Sequence, residues 1–214
     1  MRGGLYKMRT SARSFQGLRD KGVELIAQAK KFRDFKFVSE VVDSESLEVL
    51  DPVTDIFQIG TRNMYNYELL KRVGQYQKPV ILKRGMSATL NEWLEAAGYL
   101  GLAQEKIFLC ERGIRNFEPS YRNVLDLTAV VYLKQNTDYQ VLVDPSHAAG
   151  RSEMVIPLAK AAMACGADGL LIETHPEREK ALSDGQQALS FEQAAQLIKE
   201  LDLIGSSLGK RVVY

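Results

Sequence analysis

The sequence predicts an α/β chain of the TIM (β/α)8 barrel type that lacks its first strand and helix, organised as one domain over residues 1–214. Three observations carry this. Short apolar runs rich in Val, Ile, Leu and Phe alternate with longer amphipathic stretches along the whole length, the pattern of parallel strands joined by right-handed helical crossovers. The runs are apolar almost continuously, as strands buried on both faces require. Counting the opening stretch as a strand end gives seven strands, whereas a closed barrel needs eight and typically about 250 residues. Seven strands in an open sheet would leave two exposed edges. A doubly wound open sheet is the competing architecture, disfavoured because no Gly-rich nucleotide fingerprint is present.

Taken in order, "GGLYK" (3–7) sets two glycines and an apolar pair before cations, and reads as a strand end entering a loop. "SFQGLRDKGVELIAQAKKF" (14–32) follows, with Leu18, Leu25, Ile26 and Ala29 on one helical face. The next strands are expected at 35–41, 55–60, 79–84, 106–112, 140–146 and 169–174. Among the helices between them, "SATLNEWLEAAGYLG" (87–101) places Trp93 in the core, and "SEMVIPLAKAAMACG" (152–166) ends in a glycine suited to a C-cap.

Composition excludes several classes. The 28 basic and 27 acidic residues leave a net charge of +1, so no whole-molecule field points to nucleic acid or an anionic membrane. No apolar run approaches the roughly 20 residues needed to span a bilayer, and the opening residues lack a signal-peptide core. Two cysteines, Cys110 and Cys165, make no disulfide framework. A cytoplasmic domain is the expectation.

Polar residues gather at the carboxyl ends of the expected strands, where barrel enzymes build their sites. Lys7 and Arg9 follow the first and Glu40 closes the second. Arg62 follows the third, and Lys83 and Arg84 end the fourth. Glu111 and Arg112 end the fifth, Asp144 and His147 the sixth, and Glu173 the seventh. Cations converging from several strands call for a strongly anionic ligand, because a buried cation costs several kcal/mol unless paired. Their number suits two phosphates and a carboxylate better than one phosphate. Gly60, Gly85 and Gly113 lie beside them and would admit close approach of backbone to a ligand. His147, Glu173 and Asp184 offer one imidazole and two carboxylates, apt ligands for a divalent metal. His175, just before Pro176, is expected on a loop surface, and Cys165 in packing. The side on which the Cys110 thiol points is left open.

The stretches "RGGLYKMRTSARSFQGL", "QIGTRN", "LKRGMS", "CERGIR", "VDPSHAAGR" and "SDGQQALSF" together resemble the 3-deoxy-D-arabino-heptulosonate-7-phosphate (DAHP) synthases of the compact microbial branch, in the same order along the whole chain. The resemblance implies a (β/α)8 barrel that condenses phosphoenolpyruvate with erythrose 4-phosphate and water, releasing phosphate, at the entry to the shikimate pathway of aromatic amino-acid and chorismate biosynthesis. It implies that Arg62, Lys83 and Arg112 bind the phosphate of phosphoenolpyruvate, that Arg2 and Lys7 face its carboxylate, and that Lys7 also shuttles a proton. Arg9 and Thr10 would hold the phosphate of erythrose 4-phosphate. His147, Glu173 and Asp184 would bind a divalent metal (Mn, Fe, Zn or Co), with Asp144 close by near the sugar hydroxyls. A homodimer or homotetramer is implied as well.

Two departures stand out. Met8 occupies the place of the usual proline in the Lys-Pro-Arg-Thr loop, which frees that backbone, and Thr61 stands where alanine is usual. More consequentially, the family's first strand carries a Gly-Pro-Cys-Ser motif whose cysteine is a fourth metal ligand, and neither Cys110 nor Cys165 sits in such a motif. A truncated coding record is favoured over a genuinely short chain. The alternatives to DAHP synthesis are a non-catalytic phosphoenolpyruvate-binding remnant or partner subunit, and the related 3-deoxy-D-manno-octulosonate-8-phosphate synthase.

Overall fold

A computed structural model describes residues 1–9, 11 and 13–213. The chain forms two compact units, Met1–Leu109 and Cys110–Tyr214. Both are α/β in their element order.

The first unit contains α1 (Arg19–Phe32), β1 (Val38–Val41), α2 (Ser44–Leu50), β2 (Ile56–Ile59), α3 (Tyr67–Gly74), β3 (Val80–Lys83) and α4 (Leu90–Gly98). Its strands pair in parallel in chain order, with Glu40 opposite Gln58 and Ile59 opposite Leu82. Phe37, Val41, Phe57, Ile59, Leu82 and Trp93 are fully buried, as are Leu47 of α2 and Leu70 and Val73 of α3. Strands buried on both faces are the reason the apolar runs were continuous. The helices start where short polar side chains supply the missing acceptors. Asp43 with Ser46 and Thr89 with Glu92 form capping boxes, and Asn66 caps α3.

The strand β4 (Ile107–Glu111) runs through the boundary between the units. The second unit then contains α5 (Leu127–Asn136), β5 (Gln140–Val143), α6 (Pro145–Ala149), α7 (Ser152–Ala164), β6 (Gly169–Leu170) and α8 (Phe191–Ser207). β5 and β6 pair in parallel. Val155 and Ala159 of α7 bury against Leu197 and Leu201 of α8 and Leu189. Gly166 closes α7 at φ +100, the left-handed geometry for which its glycine suits it. Among the described residues no helix is long and apolar enough to cross a membrane.

Three expectations are corrected. The opening stretch makes a single parallel bridge, Arg2 to Val38, with Gly3 N donating to Val38 O at 3.0 Å. It does not continue as a strand, because Leu5 O and Lys7 N hydrogen-bond to Arg19 N and Gln16 O instead. The last strand stops at Leu170 rather than Thr174, because the later backbone turns to pair Thr174 with Leu189. In α1 the expected apolar face is only partly used: Ile26 is buried, but Leu18 and Leu25 are exposed. Leu18 precedes the helix as its N-cap residue, so helical periodicity does not reach it.

Candidate active site

In the first unit a single carboxyl gathers four cations. Glu40 projects from β1 one residue before its end, and burial raises its pKa above the ordinary glutamate value. Lys83, Lys7, Arg2 and Arg62, in decreasing order, act on it in the opposite direction, but burial prevails. Each cation arrives from a different piece of local structure. Arg2 is fixed by its bridge to β1 and donates from Nη1 to Gln58 Oε1 at 3.4 Å. Lys83 ends β3 and is 5 % exposed. Arg62 sits in the short helical turn 61–63 that follows β2. Lys7 is on the loop that folds back toward Gln16.

Gly60 makes this arrangement possible. A methyl group there would lie 2.1 Å from Glu40 Oε1, so the glycine opens space for the carboxyl rather than for a ligand. Gly60→Ala is expected to leave the fold intact, because the clash is with the tip of a flexible side chain. It should nevertheless weaken anion binding by these cations about tenfold by driving Glu40 off them. A titration with inorganic phosphate beside a thermal melt checks this, and unchanged binding would contradict it.

Arg84 and Arg9 are placed differently. Arg84 Nε donates to Ala88 O at 3.1 Å and its guanidinium lies 5.8 Å from the centre of the Trp93 ring, so it ties β3 to α4. Arg9 Nε donates to Phe15 O at 3.3 Å, and with Tyr6, Lys7, Asp20 and Asp43 it lines a cavity of about 510 Å3. Thr10 lies outside the described residues.

The second unit builds its cluster around α6. "DPSHAAG" is a complete helix in miniature, with an Asp N-cap, Pro at the first position and Gly150 as left-handed C-cap at φ +71. Asp144 is fully buried. Its Oδ1 accepts from His147 N at 2.9 Å, and its carboxylate meets His147 Nδ1 at 2.8 and 3.0 Å. That contact fixes the imidazole so that Nε2 faces Glu173 Oε1 at 3.8 Å. Glu173 is itself held through its backbone N–H, which donates to the buried Ser146 Oγ at 3.0 Å. An imidazole nitrogen and a carboxylate facing each other beyond hydrogen-bond range are donors suited to a divalent ion.

Among the described residues no three His, Cys, Asp or Glu side chains assemble into a group able to hold a metal. Asp184 sits at φ +62, where its carbonyl accepts from Gln187 N and opens the turn 185–187.

Arg112 is 4 % exposed and its Nη1 reaches Gly113 O at 3.5 Å. Burial, followed by the nearby Arg122, lowers its pKa, while Asp144, Cys110 and Glu111 work against that change. Glu111, expected at the mouth, is fully buried and accepts from Gly113 N at 2.6 Å, so it shapes the loop. A side chain at Gly113, where φ is +91, would strike Asn123 and Ala148. A methyl group at Gly85 would meet Ala88 at 3.0 Å. At all three glycines the protein itself takes the space.

The Cys110 thiol is buried in β4 and directed to Glu111 O, and Cys165 is half-buried at the end of α7. His175 is in a loop, its Nδ1 accepting from Glu177 N at 3.0 Å. Sequence reasoning gave no part to Gln58, Ser146, Arg122 or Gln187. The hydrogen bonds that give these residues their places reach 27 to 65 positions along the chain, and no local pattern marks them.

Comparison with known proteins follows the same lines. A family described as "DAHP synthetase I family" matches residues 1–206. A phospho-2-dehydro-3-deoxyheptonate aldolase of Thermotoga maritima is 46 % identical over 213 residues, covering 99 % of this chain and 63 % of that relative. A 2-dehydro-3-deoxyphosphooctonate aldolase of Cupriavidus taiwanensis is 28 % identical over 94 % of this chain. The crystal structure of the Thermotoga maritima DAHP synthase superposes with a TM-score of 0.94 at 46 % identity, over 99 % of this chain and 62 % of that one. A truncated form of the synthase from the same organism gives a TM-score of 0.91 at 44 % identity and is covered to 78 %. The chain therefore spans somewhat less than two thirds of the length of the Thermotoga maritima relative.

Proposed function

We propose, from the premise that the chain belongs to the DAHP synthetase I family and has its (β/α)8-type fold, that it condenses phosphoenolpyruvate with erythrose 4-phosphate. The reaction forms a bond between the methylene carbon of phosphoenolpyruvate and the aldehyde carbon. Water adds its oxygen to the carbon bearing the phosphate, the bond from that carbon to the phosphate oxygen breaks, and inorganic phosphate leaves. The observation that carries this reading is the gathering of Arg2, Lys7, Arg62 and Lys83 on one half-buried carboxyl, that of Glu40. Four cations against one acid whose own pKa is raised favour a ligand of several negative charges.

Arg62, Lys83 and Arg112 would bind the phosphate of phosphoenolpyruvate, with Arg2 and Lys7 on its carboxylate. Arginine grips such groups through two parallel N–H donors, while lysine supplies a compact charge. Arg9 and Thr10 would hold the phosphate of erythrose 4-phosphate. Held in place before reaction, these cations stabilise the charge that develops as phosphate departs, and capture of both substrates supplies proximity. Lys7, on the loop that folds back toward Gln16, would move the proton, as the resemblance implies. Asp144 faces His147 Nδ1, so in the neutral imidazole Nδ1 would carry the proton and Nε2 would be the nitrogen available as a ligand. His147 and Glu173 would hold a divalent ion, with Asp184 as the third ligand that the resemblance implies. That ion, when bound, polarises the aldehyde as a Lewis acid. A cytoplasmic homo-oligomer in the shikimate pathway fits this chemistry.

Phosphate release assayed with manganese tests the reading. Release is expected only when phosphoenolpyruvate and erythrose 4-phosphate are both present. Turnover of arabinose 5-phosphate in place of the four-carbon sugar would assign the octulosonate reaction instead. Thermal stabilisation by phosphoenolpyruvate without any release would leave a binding protein.

A further inference from the structure

We propose that the second unit carries a further binding site, for a phosphate group, in a cavity of about 630 Å3 among the loops 119–122, 149–151 and 184–187. Gln187 carries the inference. Its side chain is 3 % exposed and lines the cavity, and its Nε2 has no hydrogen-bond partner. Buried amide donors are ordinarily satisfied by the protein, so this one is placed for an acceptor that arrives from outside. Its Oε1 is already engaged by Arg122 Nη1 at 3.4 Å, which turns the donor end of the amide away from Arg122.

The surroundings say what kind of acceptor. Arg122 and Arg151 both line the cavity. Arg151 spends Nε on Glu153 at 2.8 Å and Nη1 on Ser120 O at 3.0 Å, so two of its five N–H donors are committed and the side chain is held in place. Arg122 is anchored at its backbone, where its N–H donates to Ala149 O at 3.1 Å. Gly150, at φ +71, leaves room for its stem, since a side chain there would lie 2.9 Å from Arg122 Cβ. Arg178 Nη2 donates to Gln186 O at 3.3 Å and so braces the third loop. Donors thus come from three separate loops. A phosphate accepts from several directions through its terminal oxygens, whereas a carboxylate offers two oxygens in one plane. Asp184 is the acid on the wall, and it is the one residue common to this cavity and the metal set implied above. Two guanidiniums and an amide outweigh it. The site needs none of the cations assigned to phosphoenolpyruvate, so it goes beyond the proposed reaction.

The side-chain amide signal of Gln187 reads the site directly. It is identified by its loss in Gln187→Leu and followed by two-dimensional NMR while inorganic phosphate or glycerol 3-phosphate is added to the full chain. A saturable shift is expected, with the midpoint raised about tenfold in Arg151→Ala through loss of a charged donor. Tighter binding of glycerol 3-phosphate would assign an esterified phosphate, and equal binding would assign the free ion. No shift of the Gln187 signal, or a midpoint unchanged in Arg151→Ala, overturns the proposal. Gln187→Leu should melt close to the wild type, since it removes an unsatisfied buried donor along with the 3.4 Å contact to the exposed Arg122. Phosphate release is measured separately, so failure of the condensation reaction and failure of this site are told apart.

Discussion

His147→Ala is expected to reduce phosphate release in the proposed condensation of phosphoenolpyruvate with erythrose 4-phosphate by about a thousandfold, combining the loss of the proposed metal ligand with that of a positioned imidazole. The structural cost should be small. His147 contributes its backbone N–H, not its ring, to the Asp144 cap of α6, and an alanine retains that N–H. Pro145 and Gly150 continue to define the ends of the helix. What disappears is the ring that spans from Asp144 to Glu173. The two carboxylates then lose the group that separates them. Circular dichroism and a thermal melt near wild type, together with the loss of turnover, would satisfy the expectation. A variant that turns over at close to the wild-type rate would remove His147, and with it the metal assignment, from the reaction.

The second large effect falls on stability. Trp93→Ala should lower the unfolding free energy by about 3–5 kcal/mol, the range for emptying the site of a large buried aromatic. Trp93 is fully buried, and its indole N–H donates to Leu82 O at 3.2 Å. Alanine would therefore leave a cavity and remove the indole donor from Leu82 O. Trp93→Phe separates the two, since it retains most of the ring volume and loses only the donor, at a cost of about 1 kcal/mol. Urea unfolding of the three proteins measures both. The damage should also reach chemistry, because Leu82 immediately precedes Lys83 and the Trp93 ring supports Arg84. A raised KM for phosphoenolpyruvate in Trp93→Phe would show that link, and an unchanged KM would confine Trp93 to packing.

Much of the fold was legible because its causes are local. The caps Asp43, Thr89 and Ser190 stand three residues before the groups that complete them, and a reader of "DPSHAAG" can place both ends of α6. The apolar runs located the strands to within a few residues, since burial on both faces leaves no room for polar side chains. The extremes were less legible. At Gly169–Leu170 and at Arg2 the runs promised longer strands than form, because strand length depends on which neighbour accepts the hydrogen bonds. Polarity at a strand end also proved an incomplete guide to role. Arg84 and Glu111 share the position of Lys83 and Arg112, yet Arg84 Nε donates to Ala88 O and Glu111 Oε1 accepts from Gly113 N.

By itself the sequence determined the parallel α/β class, the family, and the set of cations and carboxylates that chemistry would need. Each of these is written in neighbouring residues or in the order of short motifs. Only the tertiary structure decided that Glu40 would collect Arg2, Lys7, Lys83 and Arg62, that His147 would face Glu173, and that Gln187 would be buried with a donor to spare. Electrostatic and hydrogen-bond partners are chosen by distance in space. The chain separates these groups by tens of residues, and only packing brings them within a few ångströms.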